Sequence, residues 1–189
     1  MDGTLDKAMK VVVRYAEKND LIDLSKSYID GMFIRSKNGL DMVGNTKIGK
    51  GHKLMAVVDG NGVPIAVHLD SANPHEVTLV EQTLDSRMTN ELPDRLIGDR
   101  AYDSDKLDAD LEEIGVKMIA PHKKNRKNKT QDGRALRAYK KRWKVEDFNN
   151  RIQRFRKIVI RYELHTKNFI GFIKIATMMV AVQMIGLQW

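Results

Sequence analysis

A chain of 189 residues is long enough for one compact domain that buries roughly 70% of its extended-chain surface, and 42% apolar with 31% charged residues suits neither a disordered tail nor a membrane bundle. The absence of cysteine excludes disulfides, thiol nucleophiles, iron-sulfur clusters and Cys-ligated zinc. The formal charge of +8 is unevenly spread: between Pro121 and Lys144, eleven Lys or Arg stand against one acid, Asp132, so this block supplies the entire positive excess.

Taken in chain order, Leu5, Met9, Val12 and Ala16 recur at helical spacing behind Thr4 as a cap, which predicts a helix over 4–18. Nothing basic and then apolar opens the chain, so no secretion is expected. Residues 28–34 read as a first strand ending near Arg35, followed by a loop studded with Gly39, Gly44, Gly49 and Gly51. Two further strands, 52–58 and 64–69, flank Asp59, Gly60, Asn61 and Gly62, residues suited to a hairpin turn. Asn73 as cap, Pro74 at the first helical position and Glu76 three residues past the cap predict a helix running to about Met88. A short strand over 95–98, a capped helix from Asp103 or Ser104 to Gly115, and a strand over 116–120 follow. The order is β, β, β, α, β, α, β, with an antiparallel meander first: an α/β fold.

Beyond the basic loop, a long helix is expected over 132–159 and a terminal one over 166–187. The last is apolar almost throughout, but Lys174 and Gln183 interrupt it, and a core helix covering the sheet is the preferred reading over a membrane span.

Several chemistries fall away. Residues 44–51 approach a phosphate-binding loop, but Gly51 stands where a Ser or Thr should follow the Lys, and a strand follows where a helix is needed. The five histidines show no metal-ligand spacing, and no Gly-x-Ser-x-Gly is present. Carboxylates remain. Asp30 interrupts an apolar strand, where an unpaired charge is costly. Asp99 ends the strand at 95–98, at the edge where α/β sheets place active groups. Singly, each also reads as a turn or cap residue. In the long helix, Val145, Phe148, Ile152, Phe155 and Val159 form a core-facing stripe, and Tyr139, Arg142, Glu146 and Gln153 a second one beside it. Glu146 thus borders the core and can reach the sheet edge. Three hard oxygen ligands beside a basic surface suit two magnesium ions acting on a phosphodiester. The basic block reads as a phosphate-binding surface, with a solvated helix and loop as the alternative.

With Ile29-Asp30-Gly31, Ser71-Ala72-Asn73-Pro74-His75-Glu76, Gly98-Asp99-Arg100-Ala101-Tyr102-Asp103-Ser104 and Tyr139-x2-Arg142-x3-Glu146, the chain resembles the DDE transposases of bacterial and archaeal insertion sequences of the insertion-sequence-four and insertion-sequence-five groups. The resemblance runs from about residue 27 to the end. It implies a ribonuclease H-like mixed sheet of three antiparallel strands and then α-β-α-β, flanked by helices, with long C-terminal helices. Residues 1–26 would be a helical stub and 27–189 the catalytic domain. The implied activity is metal-dependent cleavage at transposon ends and strand transfer by the freed 3′ hydroxyl. Asp30, Asp99 and Glu146 would hold two Mg2+ ions, or Mn2+ in their place. Tyr139 and Arg142 would contact DNA, and the basic block adds Lys123, Lys124, Arg126 and Lys127. The partners expected are double-stranded DNA, both terminal repeats and target, and further copies of the chain in a dimer or higher assembly. No membrane is expected, and the location is the cytoplasm, at the nucleoid. The family signature ends on a Lys seven residues past the Glu, where this chain has Gln153, and only the stub stands in place of a longer N-terminal helical module. Two other readings are a truncated or split transposase fragment that binds DNA without completing transposition, and a host-adapted nuclease that cuts but never joins.

Overall fold

The structure, a computed structural model, describes residues 3–39, 41–127 and 135–186. Helix α1 (Thr4–Lys18) is followed by strands β1 (Ser27–Ser36), β2 (Gly44–Thr46), β3 (Gly49–Val58) and β4 (Pro64–Ser71). Then come α2 (Val80–Asp85), β5 (Arg95–Ile97), α3 (Asp105–Glu113), β6 (Lys117–Ile119), α4 (Trp143–Ile152), α5 (Arg156–Val159), β7 (Ile160–Arg161) and α6 (Thr166–Met184). Short 3-10 segments occupy Glu76–Leu79, Arg100–Tyr102 and Ala135–Lys141.

The expected meander is present: β1 pairs β3, and β3 pairs β4, both antiparallel. On its other side β1 pairs β5, and β5 pairs β6, both parallel. The result is the mixed α/β sheet the element order predicts. Because side chains alternate along a strand, each face of this sheet needs its own cover. Ile29, Met55, Val57 and Leu96 pack with Met9, Val13, Val80, Leu84, Leu107 and Leu111 of α1, α2 and α3. Tyr28, Met32, Leu54, Ile97 and Ile119 pack with Val145, Phe148, Ile152, Ile158, Phe169, Ile173 and Val180 of α4, α5 and α6. The last helix is therefore the core helix anticipated, and none of the described helices is long and apolar enough to cross a membrane. Asp6 of α1 pairs with Lys174 of α6 at 2.5 Å, tying the first helix to the last.

Five local expectations are corrected. Gly3, at φ +74°, precedes the first helix without a side-chain cap, and Thr4 is already helical. Along α1 Met9 and Ala16 are buried as expected, but Val13 takes the core position expected for Val12, which is only half-buried. The glycine-rich stretch carries a strand: β2 folds back on β3 with Thr46 opposite Gly49, and the Thr46 hydroxyl donates to the Gly49 carbonyl at 2.8 Å. Asn73 and Pro74 do not open a helix, since helical turns begin only at Glu76 behind an uncapped His75, and Glu76 turns its carboxylate to Tyr102 instead of back to the chain. The helix over 132–159 is not continuous. It runs as a 3-10 segment, α4 and α5, with Phe155 extended between them. Val145, Phe148 and Ile152 are buried as the stripe predicts, but the interruption turns Ile158 into the core and leaves Val159 48% exposed. It also releases β7, whose Ile160 and Arg161 pair in parallel with Arg35 and Ser36 of β1. Residues 128–134, including Lys129, Asp132 and Arg134 of the basic block and the expected helix start, and residues 187–189 lie outside the described residues.

A gap in the sheet exposes the middle of β1. β5 pairs only with Ser27 and Tyr28 of β1, and β7 only with Arg35 and Ser36. Between them, the middle of β1 has an edge that neither strand covers, and Asp30 lies there.

Candidate active site

Asp30 shares its sheet face with Tyr28 and Met32, the face covered by α4. Two side chains from that helix region meet it. Arg142 Nη1 donates to Asp30 Oδ1 at 3.0 Å, and Asn149 Nδ2 donates to Oδ2 at 3.1 Å. The same guanidinium donates through Nη2 to Glu146 Oε1 at 2.7 Å, one helical turn on. Burial raises the Asp30 pKa; Arg142 opposes that by charge and hydrogen bond, while the neighbouring charges of Asp99 and Glu146 reinforce it. Both other carboxylates therefore lie within electrostatic reach of Asp30. Arg142 in turn is held above its ordinary pKa, since Asp30, Glu146 and Tyr139 outweigh the burial that lowers it.

Asp99 follows β5 and Gly98 and caps the next turn, its Oδ1 accepting from the Ala101 N–H at 2.7 Å. It shares an open cleft with Arg100, Pro121, Leu136 and Tyr139. The Tyr139 ring lies 5.9 Å from the Arg142 guanidinium, in cation-π range. The structure thus gathers Asp30, Arg142, Glu146 and Tyr139 into one contact set with Asp99 at its border.

The basic segment divides in two. Lys124 and Lys127 are exposed. Lys123 and Arg126 also serve the fold: buried Asp103 accepts from the Lys123 N–H at 2.7 Å and from Arg126 Nη1 at 2.6 Å, and it contacts His122 Nδ1 at 3.0 Å. Burial pushes the Asp103 carboxyl up, but the Lys123 N–H, His122 and Arg126 prevail and hold it below the usual range. Arg126 reaches Asp105 as well. The segment after β6 is thereby pinned to the start of α3.

A model of the transposase DDE domain matches residues 25–180. The chain belongs to that family. A protein of Burkholderia cepacia named as a transposase for insertion sequence element IS402 is 28% identical over 149 residues, covering 75% of this chain and 66% of its own length. Another, of Brucella ovis and named for insertion sequence element IS6501, is 30% identical over 128 residues, covering 68% of this chain and 95% of its own length. Among solved structures, the piggyBac transposase synaptic complex with hairpin DNA contains a chain similar over 92% of this one at 10% identity and a TM-score of 0.59; this chain spans 51% of it. A chain of the simian T-cell lymphotropic virus intasome solved with a PP2A regulatory subunit is similar over 83% of this one, at 12% identity and a TM-score of 0.50, with 48% of it covered. The fold of this DDE domain is ribonuclease H-like, as the resemblance implied.

Among the described residues, no three His, Asp or Glu side chains are grouped closely enough to hold a metal ion as they stand. The donor chemistry nevertheless fits a divalent cation. Hard carboxylate oxygens from β1 and α4 already share one positive group, the Arg142 guanidinium, and burial makes an uncompensated Asp30 charge unfavourable.

Three partners were not singled out by sequence reasoning. Asn149 stands three residues past Glu146 and seven past Arg142, on the same stripe of α4, so helical spacing is the signal that could have found it. Glu76 and Tyr102 both stand in the motifs that carry the resemblance. Tyr102 is fully buried, and its hydroxyl donates to Glu76 Oε2 at 2.8 Å. Burial raises the Glu76 pKa; Tyr102 and Lys53 oppose this, and the charges of Asp30 and Asp99 add to it.

Proposed function

We propose that this DDE domain cuts DNA at transposon ends and joins the freed end to target DNA, using divalent cations held by Asp30, Asp99 and Glu146. The observation that carries the reading is the guanidinium of Arg142 clasped by Asp30 at 3.0 Å and Glu146 at 2.7 Å, a cation seated between carboxylates on two separate elements. Two bound Mg2+ or Mn2+ ions would supply the charge that deprotonates water and stabilises the leaving oxygen of an in-line displacement.

In this reading Asp30 enters from the rigid centre of the sheet, Asp99 from the turn after β5 and Glu146 from the first turn of α4. Arg142 gives up the carboxylates and turns its donors to a DNA phosphate, for which its planar fork is suited. Tyr139 packs along that guanidinium and keeps it aimed at the cleft. Water attacks the phosphorus at the transposon end and breaks the bond to the 3′ oxygen, which leaves as a 3′ hydroxyl. That hydroxyl then attacks a target phosphodiester and displaces its 3′ oxygen. Lys124 and Lys127, with Lys123 and Arg126 beside them, supply charge to the DNA backbone. A dimer or higher assembly on DNA would hold two ends together.

The test is incubation of the protein with labelled transposon-end DNA and Mg2+, with nicks mapped and joined products scored. The parent nicks at the transposon boundary and yields joined products. Glu146→Gln binds the same DNA and leaves it uncut. Cutting by Glu146→Gln at the parent's rate ends the assignment.

A further inference from the structure

Gly31, Glu76, Tyr102 and Gly98 form a bridge between the two aspartates. Gly31 follows Asp30 and faces the opposite side of the sheet, among the residues under α2 and α3. Glu76 fills the space a side chain would take there: a Cβ on Gly31 would come within 2.7 Å of the Glu76 carboxyl carbon. Gly98 precedes Asp99, and a Cβ on it would come within 2.5 Å of the Tyr102 ring. The ring and the carboxylate are joined by the hydrogen bond of 2.8 Å. Each aspartate thus has a glycine neighbour against which one member of this pair is packed.

The turn carrying Asp99 is short, with the Gly98 N–H donating to the Ile119 carbonyl at 3.0 Å before it and buried Asp103, held by Lys123, His122 and Arg126, after it. It is a 3-10 segment of 3 residues whose first N–H bonds run back to Asp99 itself. β5, which leads into it, is also 3 residues long and touches β1 at only two positions. Tyr102, the last residue of the turn, is fully buried. A buried phenol with a carboxylate acceptor is a well-defined anchor, since removing either partner leaves the other unsatisfied.

We propose that Glu76 is a positioning residue of the DDE site, setting through Tyr102 the separation of Asp99 from Asp30; this rests on the reading of Asp30 and Asp99 as cation ligands. Glu76 acts by accepting the Tyr102 hydroxyl, and its charge is secondary. The outer partners of metal ligands commonly matter about 10–100-fold in metal affinity.

The test is a titration of the full chain with Mn2+ in the absence of DNA, following free Mn2+ by electron paramagnetic resonance, with melting temperatures taken in parallel. Tyr102→Phe and Glu76→Ala each weaken Mn2+ binding by about tenfold. Glu76→Gln, whose amide oxygen still accepts a hydrogen bond, stays within about twofold of the parent. Tyr102→Phe decides the matter if Glu76→Ala fails to fold. Parent-like binding by Tyr102→Phe overturns the inference, and so does a loss in Glu76→Gln equal to that in Glu76→Ala, which would make Glu76 a direct ligand. Asp99→Asn separates the two levels. If it too binds like the parent, the cation reading has failed and the inference falls with it; if it alone loses binding, only the positioning role is wrong.

Discussion

Arg142, at the threshold of α4, holds the carboxylate of Asp30 at the centre of β1 across 112 residues of sequence, with Nη1 3.0 Å from Oδ1. The two side chains are 17% and 20% exposed, so solvent screens the pair only partly. Removing one partner of such a pair leaves the other half-buried and uncompensated.

Arg142→Ala is therefore expected to lower the stability of the metal-free protein by about 1–3 kcal/mol. Divalent cations should restore more of that stability in the variant than in the parent, because the cation takes over the compensation of Asp30. Chemical denaturation of both proteins with and without Mg2+ measures this. Equal metal effects in the two proteins would contradict the substitution of one charge for the other.

Lys124 and Lys127 are exposed, whereas Arg126 is held by Asp103 at 2.6 Å and also meets Asp105. Each phosphate contact contributes about 0.9 to the slope of log affinity against log salt. Lys124→Gln together with Lys127→Gln should reduce that slope by about 2 without moving the melting temperature. Arg126→Gln should instead lower the melting temperature, since Asp103 loses an ion-pair partner in a buried position. Filter binding across a salt series and thermal melts separate the two kinds of basic residue.

His52 and Arg161 are fully buried, and Arg161 Nη1 lies 2.9 Å from His52 Nε2. A guanidinium only donates, so Nε2 accepts and the imidazole is neutral. Burial first, and the Arg161 charge second, push the His52 pKa down to about 4. A histidine depressed in the folded state binds its proton more readily when unfolded, so its stabilising contribution is complete above about pH 6.5 and is lost as the pH falls towards 4, by about 3 kcal/mol in all. Asp59, buried and pushed up to about 6, tilts stability the opposite way in part of the same window. The His52 contribution is therefore read as the difference in stability between the parent and His52→Gln. That difference should narrow as the pH falls from 6.5 to 4; a pH-independent difference would place the proton elsewhere.

Gln153 stands at the C-terminal cap of α4 and is exposed. Replacing it with Lys puts a cation at the negative end of the helix dipole and two turns beyond Glu146. Gln153→Lys should tighten binding to transposon-end DNA at moderate salt, steepen the salt slope by about 1 and leave the metal requirement unchanged. A DNA titration and a nicking assay on the same two proteins check it.

What the sequence determined by itself is local. The β-type runs at β1, β3 and β4, the cap of α3, expected at Asp103 or Ser104 and found at Ser104, and the apolar α6 depend on neighbours within a few residues, and all are present. Asp30 stood out because a charge in an apolar strand demands a partner, and the spacing of Arg142 and Glu146 placed both on one helical stripe. Tertiary contact decided the rest. The helix expected over 132–159 is interrupted at extended Phe155, and the redirected chain pairs Ile160 and Arg161 with Arg35 and Ser36, where Arg161 satisfies its guanidinium on Asp41, His52 and Thr166. Glu76 carries a helix-start pattern, yet its carboxylate serves Tyr102, a partner that only the packing of the Glu76–Leu79 segment against the turn after β5 supplies. Propensity and periodicity are sums over adjacent residues. A buried polar group is satisfied by whatever the fold brings to it, and that partner is set by chain folding over tens of residues, which no local pattern records.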